Sequence, residues 1–168
     1  MGLSLQSGIV KKVENYCKEN NLFAGGDGIV AGVSGGADSV FLLYFFWLMK
    51  QKWKIDVIAV HINHGIRGEA AKRDMEYVQR MTKELDIPLK IYEADIPKLA
   101  KEWRMSEEEA GRYYRYQCFE EVRKSRGFQW IAVAHHENDQ AETVFFQMLR
   151  GSGLRGLGGM YPKNGYII

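Results

Sequence analysis

Three groups of residues in this sequence have the types and spacing to handle a phosphorylated ligand. The first is Ser34-Gly35-Gly36-Ala37-Asp38-Ser39. Paired glycines let backbone N–H groups close on phosphate oxygens with no Cβ in the way. The two serine hydroxyls add donors, and Asp38 offers a hard oxygen ligand for a magnesium ion between protein and phosphates. The run fits neither GxxxxGK[ST] nor GxGxxG, which rules out the common mononucleotide and dinucleotide loops. The alternative that needs no ligand is a plain glycine-rich turn with Asp38 and Ser39 capping a helix.

The second group is His61-Ile62-Asn63-His64-Gly65-Ile66-Arg67-Gly68. As a block, His64, Gly65 and Arg67 suit a phosphate or a base; taken singly, the histidines are equally well explained as satisfying nearby backbone groups. The third group is His135-His136-Glu137-Asn138-Asp139-Gln140-Ala141-Glu142-Thr143. At about 100° per residue, Ala141, Val144, Phe145 and Met148 share one helical face, and Asp139, Glu142 and Thr143 fall on the other. Two carboxylates then meet near a helix start. Asp139 is the candidate second magnesium ligand, reaching toward Asp38, while adjacent histidines diverge too much to favour zinc. Glu142 alone is also explained by the helix dipole.

Arginines complete the inventory. Arg112 and Arg115 are three apart on one helix, with Glu108 four residues before Arg112, so a surface ion pair competes with a phosphate contact. Arg150 and Arg155 border a segment with five glycines in the nine residues 151–159. That segment reads as a loop that orders on substrate or as a linker.

These residues need elements to position them. Apolar, β-branched runs at Gly28–Val33, Asp56–Ile62, Pro88–Glu93 and Gln129–Ala134 alternate with helical stretches at Ser39–Lys50, Ala70–Leu85, Ser106–Lys124 and Asn138–Leu149. A further helix is expected near Gly8–Asn20. Such alternation predicts a doubly wound α/β fold, a parallel sheet flanked by helices, with the three groups at strand carboxyl ends where open sheets bind ligands. The helix after the first strand is apolar nearly all round and should be deeply buried. Ser106 with Glu109 forms a capping box, and Gly127 ends that helix. Tyr166-Ile167-Ile168 reads as the start of another strand.

Composition agrees with one soluble domain. The 168 residues are 46% hydrophobic and 26% charged, with a formal net charge of +2, too small to signal nucleic acid without a local basic patch. Cys17 and Cys118 lack CxxC spacing, which argues against structural zinc or a redox pair and favours buried thiols. The N-terminus lacks signal-peptide order, and the apolar run Val40–Met49 is half of what a membrane span requires, so a cytoplasmic protein away from membranes is expected.

SGGADS at the first strand-to-helix turn resembles the signature of the ATP-pyrophosphatase (PP-loop) family, of the adenine nucleotide alpha hydrolase-like fold. With HINHGIRGEA, SEEEAGRYYRY, AHHENDQAET and RGSGLRGLGGM, the chain from about Gly28 onward resembles the N-terminal domain of the tRNA(Ile)-lysidine synthetase family. That resemblance implies that ATP adenylates the wobble cytidine of an isoleucine tRNA and that L-lysine then displaces AMP to form lysidine. It implies ATP contacts from Ser34, Gly35, Gly36, Ala37, Asp38 and Ser39, and Mg2+ on Asp38 and Asp139. Glu142, His135 and Arg112 join these aspartates as catalytic candidates, and His64, Arg67, Arg115, Arg150 and Arg155 as tRNA-side contacts. The family pattern HHxDDQAET has aspartate where this chain has Asn138, so the carboxylate role rests on Asp139. The expectation is a single catalytic domain over residues 1–168, with further tRNA-binding domains outside the chain and a homodimer left open. Two rivals remain at this point: an amidotransferase-type ATP-pyrophosphatase acting on a small molecule, and a nucleotide-binding module without catalysis.

Overall fold

The computed structural model describes residues 7–63, 68–134, 163 and 165–168. Its elements run α1 (Gly8–Glu19), β1 (Gly28–Gly32), α2 (Ala37–Trp53), β2 (Asp56–Asn63), α3 (Gly68–Glu84), β3 (Leu89–Glu93), α4 (Ile96–Trp103), α5 (Glu107–Arg126) and β4 (Trp130–Val133). The strands form a sheet in the order β3-β2-β1-β4, and every pairing is parallel. The expected strands and helices within the described residues are all present. α4 is an addition, a short helix that Asp95 caps by accepting from the Lys98 N–H, with Pro97 in its first turn. The expected helix at Asn138–Leu149 lies outside the described residues.

The period-two alternation of the strands sorts their side chains onto two faces. Ile29, Ala31, Val57 and Ala59 point into a core built with α1, α2 and α3, while Val30, Ile58, Val60 and Ile62 meet Cys118, Phe119 and Val122 of α5. Both faces are covered, as a parallel sheet requires. α2 lies in the larger core with Leu43, Phe45, Phe46 and Met49 all at most 2% exposed, matching its nearly uniform apolarity. Gly32 lets α5 close on the sheet: a Cβ there would stand 2.6 Å from the Phe119 ring. The two cysteines are free and buried on opposite faces, in the α1 and α5 cores respectively.

The terminal segment extends the sheet. Ile167 bridges Ile131 in parallel, the Ile131 N–H donates to the Tyr166 carbonyl at 2.8 Å and the Ile168 N–H to the Ile131 carbonyl at 2.9 Å. Where the start of a strand was expected at Tyr166–Ile168, the structure has a single parallel bridge beside β4. At the other end, α5 opens with the anticipated capping box, Ser106 Oγ accepting from the Glu109 N–H at 3.2 Å and Glu109 Oε2 accepting from the Ser106 N–H at 3.0 Å. It closes on Gly127 at φ 66°, which a residue with a Cβ adopts only under strain.

Candidate nucleotide-binding site

β1 ends at Gly32, and the chain turns through Val33–Gly36 into α2. The turn folds around one hydroxyl. Ser39 is 2% exposed, and its Oγ donates to the Gly36 carbonyl at 2.9 Å. The same oxygen faces the Ser34 N–H at 3.1 Å, the Gly35 N–H at 3.2 Å and the Ser34 Oγ at 3.1 Å. With its own proton on the Gly36 carbonyl, Ser39 Oγ has two lone pairs for three donors. The loop therefore carries more donors than its internal acceptors can serve, and the surplus is available to an anion. Ser34 Oγ also accepts from the Gly36 N–H at 3.3 Å. The N-terminus of the 17-residue α2, with Asp38 half-buried in its first turn, stands directly behind these groups.

Gly35 is the residue this turn cannot replace. Its φ is 96°, and a Cβ added there would sit 3.2 Å from the Asp74 Cβ on α3. The close approach of α3 explains one glycine of the pair; Gly36, at φ −72°, has ordinary backbone and only the Ser34 hydroxyl near a would-be Cβ.

Beside the loop lies a cleft of about 470 Å³ at the carboxyl ends of β1 and β2. Its buried lining is Val33, Val60, Ile62 and Phe119 with the imidazole of His61 among them, and its more exposed lining is polar, with Ser34, Asn63, Asp74, Glu107, Glu108 and Arg115. An apolar slot with a few converging polar groups is the usual form of a small-molecule site. Glu107 and Glu108 occupy the first turn of α5, where negative charge complements the helix dipole.

The arginines separate here: half-buried Arg115 lines the cleft, whereas Arg112 is exposed and outside the lining. Ser34 lines the cleft, and Gly35, Gly36, Ala37, Asp38 and Ser39 follow it around the turn. His64, Arg67, His135, Asp139, Glu142, Arg150 and Arg155 lie outside the described residues. Sequence reasoning did not single out Asp74 or Phe119, and it included Asn63 only as a member of the run His61–Gly68. Asp74 sits six residues beyond Gly68 in a charged helix, and only the packing of α3 against the loop brings it to the site. Among the described residues no group of three His, Cys, Asp or Glu side chains is placed to hold a metal ion.

A parallel sheet with a donor-rich Gly-Ser turn at the end of its first strand, backed by a long helix, defines an α/β nucleotide-binding domain. Residues 5–167 match the family model described as a PP-loop domain, and the chain belongs to that family, whose membership implies ATP binding. The chain is 48% identical to the tRNA(Ile)-lysidine synthase of Caldanaerobacter subterraneus, an alignment covering 100% of this chain and 36% of that protein. It is 42% identical to the tRNA(Ile)-lysidine synthase of Clostridium acetobutylicum, over 95% of this chain and 35% of that protein. The chain thus spans about a third of the length of these relatives. Among solved structures, the U34-tRNA thiolase NcsA from Methanococcus maripaludis shares the fold, with a TM-score of 0.66 at 18% identity, over 95% of this chain and 56% of that one. No helix among the described residues is long and apolar enough to cross a membrane.

Proposed function

We propose that this chain is the ATP-pyrophosphatase domain of a lysidine-forming enzyme. The carbonyl oxygen of the wobble cytidine of an isoleucine tRNA attacks the α-phosphorus of ATP, and pyrophosphate leaves. The amine of L-lysine then attacks the activated ring carbon, the carbon–oxygen bond to AMP breaks, and the amine gives up a proton. The observation that carries this reading is the Ser34–Ser39 turn with its surplus of donors, in a chain whose whole length aligns with tRNA(Ile)-lysidine synthases.

In this reading Ser34, Gly35, Gly36, Ala37 and Ser39 present N–H and hydroxyl donors to the two outer phosphates. Asp38 and Asp139 hold Mg2+, which when bound neutralises charge on the phosphates. The apolar floor of Val33, Ile62 and Phe119 offers a place for a planar base. Carboxylates at Asp74, Glu107 and Glu108 give the cleft rim a negative cast that suits an ammonium better than a second anion. Glu142 orients the lysine ammonium, His135 assists at the nucleotide, and Arg112, exposed outside the cleft, joins His64, Arg67, Arg115, Arg150 and Arg155 as contacts to the RNA.

The test measures AMP formation by the full-length protein with ATP, L-lysine and isoleucine tRNA carrying cytidine or uridine at the wobble position. AMP should form with cytidine and fall to background with uridine or without lysine. Equal rates with both tRNAs would remove the lysidine assignment. Pyrophosphate release without any RNA would instead favour a small-molecule synthetase.

A further inference from the structure

His61 is the one histidine among the described residues; it is buried at the site, at 4% exposure, and the roles assigned above do not use it. Its ring sits at the point where β1 leaves the sheet. The register that pairs Gly32 with Val60 brings Val33, the residue before the phosphate turn, level with His61. The Val33 N–H donates to the Val60 carbonyl at 2.9 Å, and the Val33 carbonyl lies 2.8 Å from His61 Nδ1. A carbonyl can only accept, so Nδ1 carries the proton and donates it. Both polar groups of Val33 are therefore fixed by β2, one through its backbone and one through the imidazole. Immediately beyond Val33, the Ser34 and Gly35 N–H groups turn toward Ser39 Oγ.

We propose that His61 is a positioning residue of the ATP site: its Nδ1–H anchors Val33 and so aims the Ser34–Gly36 donors at the outer phosphates. The proposal rests on the reading that this turn takes the pyrophosphate portion of ATP. Without the anchor, the Val33 carbonyl loses its partner in a buried position, and the turn relaxes into several arrangements that a ligand must reorder. The effect belongs to the β- and γ-phosphates, because those are the groups the turn would hold. A histidine that touched the ligand directly would do so through the other nitrogen, Nε2.

The geometry of two amides separates these roles. The Asn side-chain N–H₂ falls near the position of Nδ1, and that of Gln near Nε2. The experiment is calorimetric titration of the full-length protein and its His61→Asn, His61→Gln and His61→Phe variants with Mg-ATP and with AMP, each variant's fold checked by near-ultraviolet circular dichroism. His61→Asn should keep ATP affinity within about twofold, while His61→Gln and His61→Phe should weaken it by roughly tenfold with AMP affinity unchanged. Nitrogen-15 NMR of the wild-type ring should show Nδ1 protonated. Rescue by Gln rather than Asn would make His61 a direct ligand, and equal loss of ATP and AMP would reduce it to a fold residue; either overturns the proposal, as would no loss in any variant. Should His61→Phe fail to fold, the Asn and Gln pair alone decides. A wild-type protein that binds no ATP would overturn the nucleotide reading itself, and the NMR tautomer still reports on the Val33 anchor.

Discussion

The Ser39 hydroxyl organises the Ser34–Ser39 turn, and the surplus of donors around it is the reason for proposing that the turn receives the phosphates. In the proposed function Asp38 plays a different part, because a carboxylate beside phosphates is tolerable only with a cation between them. Replacing it with Asn keeps the shape of the side chain and removes the charge. We expect Asp38→Asn to slow AMP formation by the full-length protein on the order of a hundredfold or more, with the fold intact by circular dichroism. Near-wild-type turnover would take the magnesium role away from Asp38. Gly35 tests the turn from the steric side. An alanine there must adopt φ near 96° and press its Cβ to 3.2 Å from Asp74. Gly35→Ala should cost roughly 1–3 kcal/mol in thermal or urea unfolding and weaken ATP binding, while Gly36→Ala, at an ordinary φ, should be milder in unfolding.

At the scale of elements, most of what positions the site could be read from the chain. Apolar runs bounded by helices gave the four parallel strands, and Ser106 with Glu109 marked the start of α5 to the residue. α4 was not legible, because eight residues make barely two turns and their helical state depends on Asp95 capping and on Ile96 and Ala100 packing against Ala110 of α5. The tertiary partners of the site escaped for a related reason. His61 to Val33 and Asp74 to Gly35 are contacts between elements, which no local pattern encodes. The docking of α1 is another such contact. Glu14, 3% exposed, accepts from Lys52 Nζ at 2.7 Å and from Trp53 Nε1 at 3.3 Å, and pairs with Lys18 at 2.8 Å. Burial pushes its carboxyl up, but the hydrogen bonds and charges of Lys18 and Lys52 outweigh that and hold it below the usual carboxylate range. A lowered folded value means the stabilisation is present above the unfolded value and is lost as pH falls through the folded one. Unfolding monitored between pH 7 and pH 3 should show a steepening loss of stability below about pH 4.5 that Glu14→Gln flattens. An unchanged profile in that variant would show that other carboxylates carry the acid sensitivity. Ser106→Ala, by contrast, should cost about 1 kcal/mol at neutral pH through loss of the cap alone.

The whole molecule links these parts through the strand ends. α2 is buried in one core, α5 covers the other face, and the Ser34–Ser39 turn and the cleft sit where β1 and β2 emerge between them. A ligand that spans the turn and the cleft thus ties together groups from α2, β2, α3 and α5, and it does so only in the folded state. Binding confined to the folded state must raise stability, by about 2.7 kcal/mol when the free ligand is a hundred times its dissociation constant. For a domain of this size each kcal/mol moves the melting temperature by roughly 2–4 °C, so saturating Mg-ATP should raise it by about 5–10 °C. In the proposed function AMP would fill the cleft and leave the turn empty, so its shift should be smaller at equal concentration. Chelating magnesium should cut the ATP shift, since the charge on Asp38 then faces the phosphates uncompensated. Differential scanning fluorimetry with ATP, AMP and ATP plus EDTA measures all three on one protein. Equal shifts for ATP and AMP would show that the Ser34–Ser39 turn contributes nothing to binding, and the phosphate role built on its hydrogen bonds would fall with them.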